Sequence, residues 1–137
     1  MTKFPDNFIW GTSVASHQVE GNNTNNDCWF AENVTPSVFK ERSGIATDSY
    51  VRWAEDIDLV KAMGLNAYRF SLEWSRIEPT EGVWAPDQLA HYEAIVDRCQ
   101  QLGLQPIVTM SHFTTPHWFA AKGGWLNPGS AELFARF

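Results

Sequence analysis

Apolar and polar positions fall along this chain in blocks. Three stretches, Phe8 to Ser16, Asn66 to Trp74 ("NAYRFSLEW") and Gln105 to Phe113 ("QPIVTMSHF"), are dense in apolar residues and show little in-out alternation. Each reads as a strand of a covered sheet. Between them lie two segments with apolar residues at helical spacing. The first runs from about Asp48 to Met63 and puts Val51, Ala54, Ile57, Val60 and Met63 on one face. Asp48 is its expected N-cap and Gly64 the residue just past its end. The second follows Pro86 and Asp87, with Leu89, Tyr92, Ile95, Val96, Cys99 and Leu102 on one face and Gly103 closing it.

The two helix ends echo each other. "KAMGLNAYRF" and "QQLGLQPIVT" both pass from a helix end through Gly-Leu into a strand. One helix-plus-strand unit separates them, so the chain reads as repeated βα modules around a parallel sheet. A barrel and a small doubly wound sheet share that alternation. No glycine-rich phosphate loop follows the first strand, which weakens the nucleotide-binding form of the second. The segment 21–47 is long, polar and irregular, and loops of that length in compact domains are usually functional or lid-like. It follows the C-terminal end of the first strand, where barrel enzymes carry active-site loops.

Composition narrows the classes. The 137 residues suffice for one domain, and 44% of them are hydrophobic and 14% aromatic, enough for a real core. The seven Trp and nine Phe are expected mostly in that core, although aromatic faces also stack on sugars and other flat ligands. The formal net charge is −6, and no run of Lys or Arg occurs, so a nucleic-acid partner is not expected. Cys28 and Cys99 have neither metal-ligand nor redox-pair spacing and read as free thiols of a reducing compartment. The start, Met1 to Asp6, shows no apolar signal core, and no apolar run reaches membrane-spanning length. A cytoplasmic protein with no membrane partner is the expectation.

Candidate chemistry collects at the strand ends. Gln18 and Glu20 follow the first strand, Glu73, Trp74, Ser75 and Arg76 end the second, and Ser111, His112 and Phe113 end the third. Three polar endings at one edge of a parallel sheet point to a shared pocket. Gln18 both donates and accepts, which suits neighbouring hydroxyls. Arg69 sits inside an apolar strand and needs a carboxylate or several carbonyls, either as a structural ion pair or as the tuner of an active-site acid. His112 reads equally as a core histidine or a ligand-facing one. His17, His91 and His117 read as surface or packing residues. No His and carboxylate set has zinc-like spacing, so no metal is expected. No nucleophile-elbow pattern occurs.

Several separated motifs then carry a family resemblance. "FPDNFIWGTSVASHQVEG", "WAEDIDLVKAMGLNAYRFSLEWSRIEP", "QPIVTMSHFTTPHWF" and "GGWLN" together resemble the N-terminal part of glycoside hydrolase family 1, the β-glucosidase family. The resemblance implies an α/β fold, about three βα units of a (β/α)8 TIM barrel, with residues 1–137 as a partial barrel domain truncated before the fourth strand. It implies a retaining β-glycosidase of β-glucosidase type that needs no cofactor and takes a β-glucoside or oligosaccharide as its small-molecule substrate. Gln18 matches the family glutamine that contacts hydroxyls of the non-reducing sugar. His112 matches its third-strand histidine, and Arg69 matches the arginine that supports the nucleophilic glutamate. Glu20 shares the glutamine's motif and is expected to be a structural anchor.

The chain also departs from the family. Phe113 stands where Trp is usual, which keeps a ring at the sugar site and loses the indole N–H. Asparagines replace the usual glycine-rich loop between Gly21 and Asn26. The two glutamate motifs of the family, T-x-N-E-P and T-E-N-G, do not occur in the 137 residues. Retaining glycosidases need two carboxyl groups about 5 Å apart, so no catalytic residue is expected here and the chain alone is expected to be inactive. A 6-phospho-β-glucosidase piece and a non-catalytic sugar- or partner-binding module remain the alternatives. An open barrel piece would need the rest of the barrel or self-association to cover its edges.

Overall fold

The computed structural model describes residues 3–137. Met1 and Thr2, where the reading of the N-terminal start begins, lie outside the described residues. The chain forms a three-stranded parallel sheet in the order β1 (Gly11–Ser13), β2 (Ala67–Ser71), β3 (Gln105–Thr109). Two long helices make the crossovers, α3 (Ser49–Ala62) and α5 (Pro86–Gln101). Short helices stand at the C-terminal ends of the strands: α1 (Ser16–Val19) and α2 (Asp27–Asn33) after β1, α4 (Trp74–Ile77) after β2, and α6 (His117–Ala121) after β3. A 3-10 turn at Gly124–Leu126 and α7 (Ser130–Arg136) complete the chain.

The repeated βα units expected from the sequence are present, with Ala67 registered against Gln105 after the two Gly-Leu echoes. Gly64 and Gly103 follow their helices at φ +78° and +67°, the left-handed geometry that only glycine adopts without cost. Three strand boundaries are corrected. Each strand is shorter than its apolar run, because hydrophobicity continues past the last ladder bond. Phe8 and Trp10 cluster with Phe4 ahead of β1 in tilted and edge-on contacts, at centroid distances of 4.6 to 4.8 Å. Ser16 has already turned into α1, Trp74 into α4, and Phe113 sits at φ +69°.

The core lies between the sheet and the two long helices. Tyr68 and Phe70 point from β2 onto Ile57 and Val60 of α3 and Tyr92, Ile95 and Cys99 of α5, with Ile77 and Leu104 at the ends. Ala67, Arg69 and Ser71 take the opposite face, as strand alternation requires. The helix faces are rotated from those read off the spacing. Val51 and Met63 of the first pattern are 70% and 60% exposed, and Leu89 of the second is 46% exposed. The helices lean on the sheet along a narrower stripe than i, i+3 spacing alone implies. Asp48 occupies the N-cap position of α3 at φ +57°, but its side chain makes no capping bond.

The segment 21–47 is less irregular than expected. It contains α2, which Asn26 caps by accepting the Trp29 N–H at 2.8 Å. Cys28 and Cys99 are free thiols. Among the described residues no helix is long and apolar enough to cross a membrane.

Candidate functional site

Polar residues at the three strand ends do converge, but they build two different things. One is a buried hydrogen-bond lattice below the surface. The other is an open cavity above it.

The lattice is organised by two carboxylates. Glu20 is buried and accepts Arg76 Nε–H at 2.9 Å and the Tyr92 hydroxyl at 2.8 Å. Tyr92 in turn accepts the Glu73 N–H at 3.2 Å, so α5 is bonded to the ends of both β1 and β2. Arg76 also donates to the Gly21 carbonyl at 2.8 Å and lies over the Tyr50 ring at 4.2 Å. Burial pushes the Glu20 carboxyl up to about 7, because the Arg76 charge and the Tyr92 bond offset only part of the lost hydration. Glu73 is wholly buried at the junction of β2 and α4 and accepts from Ser16, Asn23, Ser75 and Thr114.

The asparagines at the start of the segment 21–47 have partners. Asn23 Nδ2 donates to Glu73, Asn25 Nδ2 donates to the carbonyls of Ser75 and Pro79, and Asn26 Nδ2 donates to the Asn23 carbonyl. They rivet the segment 21–47 to the end of β2. His17, expected at the surface or in packing, is buried and bonded through Nε2 to Glu32 Oε1 at 2.8 Å. Burial acts to raise the Glu32 carboxyl, yet the Ser43 N–H and hydroxyl together with His17 outweigh it and hold the group below its usual range. His91 stacks on Tyr50 at 4.2 Å, and burial together with the Arg76 charge lowers its basicity. His117 meets the Phe30 ring edge-on at 6.2 Å.

The open cavity, about 610 Å³, lies at the C-terminal ends of β1 and β3. Gln18 lines it from the first end and Phe113 from the other, while Phe39, Glu41, Arg42 and Ser43 line it from the segment 21–47. Gln18 is exposed and Phe113 is 67% exposed, so both side chains are available to a ligand. Cys28 also lines the wall; burial, followed by the charges of Asp27, Glu32 and Glu73, pushes its thiol up to about 11, so it stays protonated. His112 is half-buried beside the cavity, its ring 4.3 Å from that of Phe113. Arg69 is not on this wall. It lies one layer down on β2, donating Nε–H to Thr109 Oγ1 at 2.8 Å and Nη1–H to Ser13 Oγ at 3.3 Å. Among the described residues it meets hydroxyls and no carboxylate.

The family model for glycosyl hydrolase family 1 matches residues 1–137. The chain belongs to that family. It is 38% identical to Beta-glucosidase A of Thermotoga maritima over 143 residues, covering 98% of this chain and 32% of that protein. It is 37% identical to the cytosolic beta-glucosidase of Homo sapiens over 149 residues, covering 98% of this chain and 30% of that one. The crystal structure of beta-glycosidase BGL167 superposes with a TM-score of 0.95 at 48% identity, covering 97% of this chain and 32% of that one. This family chain therefore spans about a third of the length of the relatives it matches. Its three βα units are an N-terminal part of a (β/α)8 barrel, the architecture expected above, and the doubly wound alternative falls away.

The sequence placed Glu73 among the polar residues that end the second strand and Tyr92 on the apolar face of a helix, and marked neither as an organiser of the lattice. One signal of its burial was present: Glu73 stands between Leu72 and Trp74, a charge in an apolar run of the same kind as Arg69. Nothing in the sequence paired Tyr92 with Glu20, because that contact joins residues 72 positions apart.

Proposed function

We propose that this chain supplies one side of the sugar site of a retaining β-glycosidase of β-glucosidase type, acting on terminal β-linked sugars. Gln18 and His112 hold hydroxyls of the non-reducing sugar, the Phe113 ring packs against it, and Arg69 supports the nucleophilic glutamate. In the assembled enzyme one glutamate protonates the glycosidic oxygen while the other attacks the anomeric carbon, and water then releases the sugar. Both glutamates come from the part of the barrel that completes the sheet. The substrate is a β-glucoside or short oligosaccharide, and the human relative's name supports a cytoplasmic location.

The observation that carries this reading is that Gln18 and Phe113, from the ends of two different strands, face one open cavity in a family 1 chain. The amide of Gln18 can donate to one sugar hydroxyl and accept from its neighbour. Arg69 commits two of its N–H groups to hydroxyls. A guanidinium carries five, so donors remain for a carboxylate.

The test has two arms. The chain alone shows no turnover of an aryl β-glucoside; turnover by pure material, abolished in Gln18→Ala, would overturn the reading. Joined to the remaining two thirds of the Thermotoga maritima enzyme in place of its own matching third, the chain supports turnover. There Gln18→Ala or His112→Ala lowers kcat/KM by about tenfold or more, the scale of removing one hydrogen-bonding partner from a buried hydroxyl. A fall in melting temperature that matches the fall in activity would mean that these residues are structural.

A further inference from the structure

Glu73 has no exposed surface, and its two oxygens are used unequally. Oε1 accepts only from its near neighbour Ser75, through the hydroxyl at 2.7 Å and the N–H at 3.4 Å. Oε2 accepts from Ser16 Oγ at 2.8 Å, Asn23 Nδ2 at 2.5 Å and Thr114 Oγ1 at 2.8 Å. Those three donors belong to three separate stretches of chain. Ser16 is two residues before Gln18, Thr114 is two residues after His112, and Asn23 opens the segment that carries α2. Ser16 is held a second time, its N–H donating to Ser71 Oγ at 2.8 Å. One buried oxygen is thus the common point of the turn after β1, the turn after β3 and the covering segment. Hydrogen bonds to a carboxylate are short and strong. Losing this acceptor would strand three buried donors at once.

We propose that Glu73 is a positioning residue of the sugar site, setting the spacing between the turn that bears Gln18 and the turn that bears His112 and Phe113. What the site binds rests on the reading above; the spacing is a property of the chain itself. Glu78 is the natural comparison. It is equally buried, but its side-chain partners are Trp74, Gly82 and Arg136, none of which lines the cavity.

The whole chain labelled with 4-fluorophenylalanine tests the spacing directly, the Phe113 signal being assigned by Phe113→Leu. Glu73→Gln shifts or broadens the Phe113 signal and leaves those of Phe70 and Phe119 in place. Glu78→Gln leaves Phe113 unchanged. A Phe113 signal that Glu73→Gln does not move, or a shift shared by all nine Phe, overturns the proposal. In the chimaeric enzyme Glu73→Ala lowers kcat/KM about 100-fold, the scale of an ångström of misplacement. Glu73→Gln, which keeps the shape and one acceptor oxygen, recovers at least about tenfold of that loss. A Glu73→Ala enzyme that loses only melting temperature also overturns it. An inactive parent chimaera would count against the sugar-site reading, while the fluorine signals still decide the spacing.

Discussion

Glu20 makes the fold sensitive to pH in a direction opposite to that of most carboxylates. Its carboxyl is held at about 7 against an ordinary 4.5, so the folded chain keeps a proton there that the unfolded chain has lost. Stability from this group is fully present below pH 4.5 and drains away as pH rises towards 7, above which the loss is complete. At about 1.4 kcal/mol per pH unit, the gap corresponds to about 3 kcal/mol. Burial is the cause, and the Arg76 guanidinium at 2.9 Å and the Tyr92 hydroxyl at 2.8 Å set its limit. Glu20→Gln keeps the shape and removes the titration. Urea unfolding followed by tryptophan fluorescence at several pH values between 4.5 and 7.5 would give the stability of each protein. The difference between them should move by about 3 kcal/mol in favour of the Gln variant as pH rises. Comparing the two proteins cancels groups such as Glu32, whose lowered pKa works in the other direction. A difference that stays flat would mean that Arg76 keeps Glu20 ionised throughout, and the burial argument would fail.

Two further substitutions test how the segment 21–47 is held down. Gly21 sits at φ +78°, and a Cβ there would lie 2.0 Å from the Ile45 carbonyl oxygen. Gly21→Ala should cost about 2–5 kcal/mol, combining left-handed backbone strain with a forced shift of the Ile45 backbone; an unchanged urea midpoint would contradict the close approach. Asn26→Ala removes the α2 cap and strips a donor from the Asn23 carbonyl and from His17 Nδ1. A loss of about 2–4 kcal/mol with faster amide exchange at Trp29 is expected, whereas a loss below about 1 kcal/mol would show that water replaces the side chain.

The architecture was legible because it rests on local signals. Gly64 and Gly103 end helices for a steric reason that holds wherever such a glycine stands, and Leu65 and Leu104 then start the next βα unit. The site was legible in part. Gln18 and Phe113 follow strands whose ends must meet at one rim of a parallel sheet, so their shared cavity was foreseeable from order alone. His112 followed from the same logic and Arg69 from its place inside an apolar strand, yet the structure sets them beside and beneath that cavity. The boundaries of β1, β2 and β3 were not legible, since apolar residues such as Trp74 and Phe113 continue each run after the ladder has ended.

Sequence by itself determined the parallel βα order, the helix ends and the family, because these depend on spacing, glycine sterics and strings of adjacent residues. Tertiary structure alone decided which polar residues came to line the cavity and which became lattice. Glu20 and Gln18 are two positions apart, yet one is sealed against Arg76 and Tyr92 while the other is exposed to the cavity. Glu73 became the shared anchor of three chain segments for the same reason. Burial and long-range donors set the role of a carboxylate, and neither is a property of its neighbours in sequence.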